Sequence, residues 1–155
     1  HIDGHEHIHM FPGVFGIVAR LAAEFNIRYV RIPIENFMMR PYTLSPKKLL
    51  GYMALNLFSM HSSIRRCRMK HNDHFRGYFG SGRLNNDIMN DFISGLKEGV
   101  TEIALHPYVY SAVFVEKYPW YQGSKHEFEM LMNGDWKNAA ERLNIRFISH
   151  KEAVA

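Results

Sequence analysis

The chain opens on His1-Ile2-Asp3-Gly4-His5-Glu6-His7-Ile8-His9, and the fold is read outward from this stretch. Taken as a β-strand, its side chains alternate between two faces. His1, Asp3, His5, His7 and His9 then share one side, and Ile2, Gly4, Glu6 and Ile8 the other. A row of imidazoles with a carboxylate is poor core material and good ligand material for Zn, Mn, Fe or Mg. Side chains on one face of a strand repeat every ~6.6 Å, so two neighbouring imidazoles reach one ion and five groups do not. One or two of them are expected to bind a metal while the rest orient those ligands or face substrate. A purification tag is the bland alternative. Tags are usually unbroken runs, whereas Ile, Asp, Gly and Glu interrupt this one.

The 155 residues suffice for a single domain, 1–155, with a real core. Nearly half are apolar and 22% are charged, which excludes a disordered chain. No apolar run approaches the ~20 residues of a membrane span. Cys67 is the only cysteine, which rules out an internal disulfide and points to a reducing, cytoplasmic setting. The net charge of +4 is small. Arg65, Arg66, Arg68, Lys70 and His71 cluster, but nucleic-acid readers want a longer basic stripe with stacking aromatics. A solvated basic helix end is expected, and no nucleic-acid partner.

Beyond the His row, Pro12 suits a helix start. Val14, Ile17, Val18, Leu21, Ala22 and Phe25 recur on one helical face, with Asn26 as the stop. Ile27 to Ile32 reads as a strand ended by Pro33, with Arg31 near its carboxyl end. Residues 34–44 read as an irregular connection. Ser45-Pro46 marks a helix start, and that helix runs through Leu49, Leu50, Met53, Leu57 and Met60 to about Ile64. Asn72 to Phe79 reads as a strand, carrying His74, that enters a plain turn at Gly80-Ser81-Gly82. Leu84 to Lys97 is a helix with Ile88, Phe92, Ile93 and Leu96 on its apolar side, closed by Gly99. Val100 to Leu105 is the clearest strand. It stops at His106-Pro107, because proline cannot continue an interior ladder. Residues 108–123 read as an aromatic loop, Lys125 to Leu143 as helical, and Asn144 to His150 as a last strand.

Strand and helix alternate about four times, which means a mostly parallel sheet covered by helices, an α/β fold. Sites in such folds gather at the carboxyl ends of strands. This reading places His5, His7, Arg31, His74 and His106 at or near such ends.

These residues carry a resemblance. His1 to Pro12, followed by Val14-Phe15 and Ile17 to Ala22, resembles the YdjC/ChbG family of carbohydrate deacetylases, whose motif reads roughly His-Leu-Asp-Ser-His-x-His-x-His. Glu102-Ile103-Ala104-Leu105-His106-Pro107 looks like the family's second signature. Asn72 to Phe75 and Gly99 to Glu102 look like the hopanoid-biosynthesis-associated branch. The resemblance implies a partial (β/α)-barrel-like parallel sheet flanked by helices, related to polysaccharide deacetylases. It implies hydrolysis of an N-acetyl group on an amino sugar or glycan, helped by a divalent ion, Mg or Zn. It places a metal ligand on His5, a general acid on His106, and Asp3, His7 and His9 in the same pocket. From their places near strand ends, Arg31 and His74 are further substrate-facing or supporting groups, with an ordinary ion pair an equal reading for Arg31.

The family's metal Asp lies in an Ala-Asp-Asp-Phe-Gly segment and its second metal His in a Gly-x-His-x-x-Leu-Thr segment. Neither occurs in this sequence. The expectation is therefore the C-terminal part of a longer deacetylase, incomplete and inactive alone. An open sheet edge would invite a homodimer. Two other readings stand beside it: an amidohydrolase-type barrel, against which no strand after His106 ends in Asp, and a non-catalytic fragment or partner domain.

Overall fold

The computed structural model describes residues 1–35, 46–59, 69–80, 82–109 and 111–155. Several expectations fall outside these residues: the Ser45 cap, the helix beyond Ser59, the basic residues Arg65, Arg66 and Arg68, Cys67, Ser81 and Tyr110.

The protein is α/β. Among the described residues the helices are α1 (Val14–Glu24), α2 (Pro46–Ser59), α3 (Asn86–Ser94), α4 (Ala112–Lys117), α5 (Gln122–Asn133) and α6 (Asp135–Arg142). The strands among them are β1 (Tyr29–Val30), β2 (Lys70–His71), β3 (His74–Arg76) and β4 (Thr101–Ile103). β1 and β2 are parallel, Tyr29 opposite Lys70 and Val30 opposite His71. β3 pairs with β4. The chain forms two compact units, one of residues 1–75, 98–102 and 148–155, the other of residues 76–97 and 103–147.

In the first unit, only Ile2 of the His row behaves as a strand. It bridges Val30 in parallel, its N–H donating to the Tyr29 carbonyl at 2.9 Å while its own carbonyl accepts from Arg31 N–H at 3.0 Å. From His5 to Met10 the backbone winds into a 3-10 turn. Glu6 and His7 sit there at φ +50° and +60°, a region that side chains seldom adopt. The expected alternation of five groups on one face is thus overturned after Asp3. The tertiary bonds of His9, described below, decide the turn. It packs against α1 and α2 over a core that includes Met10, Phe15, Ala22, Val30, Leu55 and Phe75.

Helix spacing located α1 and α2, but the covered face differs. Ile17, Leu21 and Phe25 of the α1 region and Leu50, Met53 and Leu57 of α2 are exposed, while α1 buries Phe15 and Ala22 and α2 buries Leu55 and Ser59. Periodicity fixes a stripe; the neighbours of the helix fix which stripe is covered.

Asn72 ties this unit together. Its fully buried side chain accepts from Ile32 N–H at 2.8 Å and donates to the carbonyls of Ile32 and His74 at 2.8 and 3.0 Å. Asp73 accepts from Val100 N–H at 2.8 Å. That carboxylate explains Gly99: a Cβ there would meet Asp73 Oδ2 at 2.7 Å. Gly99 is a tight passage into β4, and the stop of α3 is Gly95.

The second unit has its own core of Leu84, Met89, Phe92, Ile93, Met130 and Ala140, with Ile103, Leu105, Trp136 and Ile145 packed on it. α3 starts where Asn85 Oδ1 accepts from Ile88 N–H at 3.0 Å, an N-cap. Within the expected aromatic loop, Ala112–Lys117 and Pro119–Tyr121 form short helices. Ser111 Oγ caps α4, accepting from Phe114 N–H at 3.4 Å. Phe114 then meets Tyr108, Tyr118 and Tyr121 at ring distances of 4.8 to 5.0 Å, so these rings pack on one another. The expected last strand, 144–150, is extended or turning chain without a ladder.

Candidate functional site

The first unit gathers charge around Arg31, just past the end of β1. Its Nη1 lies 2.5 Å from Asp3 Oδ2. Its Nε and Nη2 both lie 2.6 Å from Glu102 Oε1. Tyr29 Oη donates to Glu102 Oε2 at 3.2 Å, and His150 Nε2 sits 3.3 Å from Oε1. The Tyr29 phenol is pushed far above its ordinary value, first by burial and then by the Glu102 charge, so it stays a proton donor. His150 stacks on His1 with ring centroids 3.8 Å apart. The guanidinium also lies over Phe75, 5.7 Å from the ring centre.

Sequence reasoning missed Glu102, Tyr29 and His150. The available signal for Glu102 was a lone carboxylate inside an apolar strand, Val100 to Leu105. A shallow, open groove of about 380 Å³ lies beside Tyr29 and His150, lined also by His1, Arg28 and Lys151.

His9 is enclosed, with 2% of its surface exposed. Its Nδ1 accepts from Gly4 N–H at 2.9 Å and its Nε2–H donates to the Arg31 carbonyl at 2.8 Å. Gly4 N–H can only donate, which fixes the neutral Nε2–H tautomer. Burial accordingly lowers the His9 pKa from 6.5. Both nitrogens are used on backbone, so His9 closes the turn that carries His5 and His7. His7 is half-buried, edge-on to Phe75 at 5.5 Å. His5 is exposed at the tip of the turn. His74 Nε2 contacts the Glu98 carbonyl at 3.2 Å.

The structure brings Asp3, His9 and Arg31 together, with His5 and His7 on the same turn. Among the described residues, no group of three or more His, Cys, Asp or Glu is gathered so as to hold a metal ion. The reason is visible in the bonds: Asp3 and Glu102 are committed to Arg31, and His9 to backbone. The described residues therefore do not make a metal centre by themselves.

His106 belongs to the second unit. It is exposed just past β4. Its backbone N–H donates to Glu127 Oε2 at 2.6 Å, and Gly82 N–H donates to Glu127 Oε1 at 2.7 Å. Glu127 of α5 is completely buried. One carboxylate thus pins the turn after β3 and the segment after β4. Sequence reading had no signal for Glu127, whose partners are main-chain groups 45 and 21 positions away.

A family model described as YdjC-like protein matches residues 1–142. Carbohydrate deacetylases of Danio rerio, Xenopus laevis and Mus musculus are 46%, 43% and 40% identical to this chain over 35 residues, which is 23% of this chain and 11% of each relative. A crystal structure from Enterococcus faecalis, of a protein described as a candidate cellobiose-phosphate cleavage protein, superposes with a TM-score of 0.64 at 18% identity. That match covers 100% of this chain and 53% of the other, so the chain spans about half the length of the solved neighbour. At this identity the likeness is one of fold. No described helix is long and apolar enough to cross a membrane.

Proposed function

This chain belongs to the YdjC-like protein family, and from that premise we propose that it is part of a carbohydrate deacetylase, a hydrolase that removes the N-acetyl group of an amino sugar or glycan. The observation that carries the proposal is the family match over residues 1–142. The names of the deacetylases matched over 35 residues support it. The partial (β/α)-barrel architecture, the place in the C-terminal part of a longer chain, the hopanoid-associated branch and the cytoplasmic setting belong to the same reading.

In this reaction water adds to the acetamide carbonyl, the C–N bond breaks, acetate leaves and the amine takes a proton. His106, as imidazolium, is the proposed donor of that proton. Its place past the end of β4, where such folds build their sites, and its tether to Glu127 support the role. A divalent ion, Mg or Zn, belongs to the reading, with the exposed His5 as one ligand. Since three ligands are not gathered among the described residues, no step is assigned to the ion. Asp3, His7, His9 and Arg31 are proposed to hold the His5 turn in place, and His74 to support the neighbouring strand.

The test is acetate release from N-acetylated amino sugars by the full-length protein. His5→Ala is expected to abolish metal binding and turnover, and His106→Ala to lower turnover. Retained deacetylation in His5→Ala removes the assignment. The commitment of Asp3 and Glu102 to Arg31 and of His9 to backbone favours a second reading for the chain alone: a non-catalytic piece that also pairs with a second copy through a sheet edge. Calorimetry with Zn and Mg on these 155 residues tests the first part, since a tight single site would contradict it. Sedimentation tests the second.

A further inference from the structure

Among the described residues, two arginine side chains are largely covered, and carboxylates neutralise one of them. Arg31 has Asp3 and Glu102. Arg76, the last residue of β3, is 6% exposed. Its carbonyl accepts from Ala104 N–H at 2.9 Å, a ladder bond that fixes the backbone. Its side chain is a different matter. The enclosed Nε has no hydrogen-bond partner, and among the described residues no carboxylate forms an ion pair with Arg76. The fully buried carboxylate of the same unit does not serve, because both Glu127 oxygens are occupied by the N–H groups of Gly82 and His106.

Guanidinium groups taken out of water are ordinarily paired. Their planar fork matches a carboxylate with two parallel N–H···O bonds. Arg76 also lies at a strand's carboxyl end, as does His106. We infer that Arg76 is a receptor for a small carboxylate. A single buried positive charge is neutralised by a single negative one. A phosphate of charge near −2 would leave excess charge buried. Acetate is the probe of choice because the proposed deacetylation releases it; that choice alone rests on the functional reading.

The experiment is an NMR titration of the ¹⁵N-labelled 155-residue chain, following the Arg76 Nε–H signal. Sodium acetate is expected to shift it saturably, and sodium chloride at matched ionic strength is not. Arg76→Lys, which keeps the charge and loses the fork, is expected to bind acetate at least ~10-fold more weakly. Arg76→Met is expected to lose binding. A shift that never saturates, an equal response to chloride, or undiminished binding by Arg76→Met would overturn the site. Saturation by inorganic phosphate with no response to acetate would overturn the carboxylate class. The wild-type titrations stand even where a variant fails to fold. Saturable acetate binding in a protein whose full-length form releases no acetate from sugars would uphold the receptor and remove the deacetylase reading.

Discussion

Arg31 and Glu102 meet through two nitrogens and one oxygen, with Nε and Nη2 each 2.6 Å from Oε1. Glu102 comes from β4 and Arg31 from the end of β1, 71 positions apart in the chain. Their side chains are 10% and 15% exposed. Removing one partner of such a pair leaves the other charge enclosed and uncompensated, which typically costs about 3–5 kcal/mol. Arg31→Met is expected to destabilise the protein by about that much. Asp3, with a side chain 30% exposed, retains access to water, so Asp3→Asn is expected to cost about 1 kcal/mol or less. Urea unfolding checks both. Equal losses from the two substitutions would contradict the ranking.

His9 makes stability depend on pH in a definite direction. Its folded pKa lies below the ordinary 6.5, chiefly because burial penalises the charged ring. Above 6.5 the imidazole is neutral in both folded and unfolded chains, and its full contribution is present. As pH falls below 6.5 the unfolded chain binds the proton first, so stability is lost until the folded pKa is passed. Protonation would also set an Nδ1–H against Gly4 N–H. Unfolding midpoints measured between pH 8 and pH 5 are expected to fall, and to fall less in His9→Gln. Identical pH profiles for the two proteins would remove His9 as the cause.

Gly4 is required by the same ring. A Cβ at Gly4 would stand 2.7 Å from His9 Nδ1 and 2.9 Å from His9 N, closer than real contacts allow. Gly4→Ala is expected to cost about 1–3 kcal/mol, the usual range for overpacking. Because the clash falls partly on the imidazole and partly on backbone, combining Gly4→Ala with His9→Ala should cost less than the two single changes summed. Strict additivity in denaturant unfolding would mean that the two residues do not share this contact.

How much of this was legible in the sequence depends on how local each signal was. Val14 to Phe25 announced a helix through spacing alone, and α1 is there. Pro46 marked the start of α2, and Arg31 and His106 were read at or near the carboxyl ends of strands; they follow β1 and β4. The opening row misled because its alternation is a local pattern overridden at long range. His9 reaches the Arg31 carbonyl 22 positions away, and the chain turns to let it. Glu102 and Glu127 were missed as site residues for a related reason. Each is defined by partners far along the chain, and of the two only Glu102, a carboxylate inside the apolar strand Val100 to Leu105, leaves a local signal.

Glu127 offers the sharpest test of how the second unit holds His106. Its two oxygens accept from two main-chain N–H groups, and an amide has only one acceptor oxygen. In Glu127→Gln, whichever way the amide faces, its NH₂ group confronts either Gly82 N–H or His106 N–H. That should cost about 1–3 kcal/mol of stability, the penalty of an unsatisfied buried donor. It should also speed hydrogen exchange at the amide that loses its partner. In the full-length protein His106 is proposed to act on the departing amine, after the sugar is bound. Loosening its backbone should therefore lower kcat, by about 10- to 100-fold on the scale that small misplacements cost, while KM moves little. A raised KM with kcat intact would mean that Glu127 shapes sugar binding rather than the position of the proton donor.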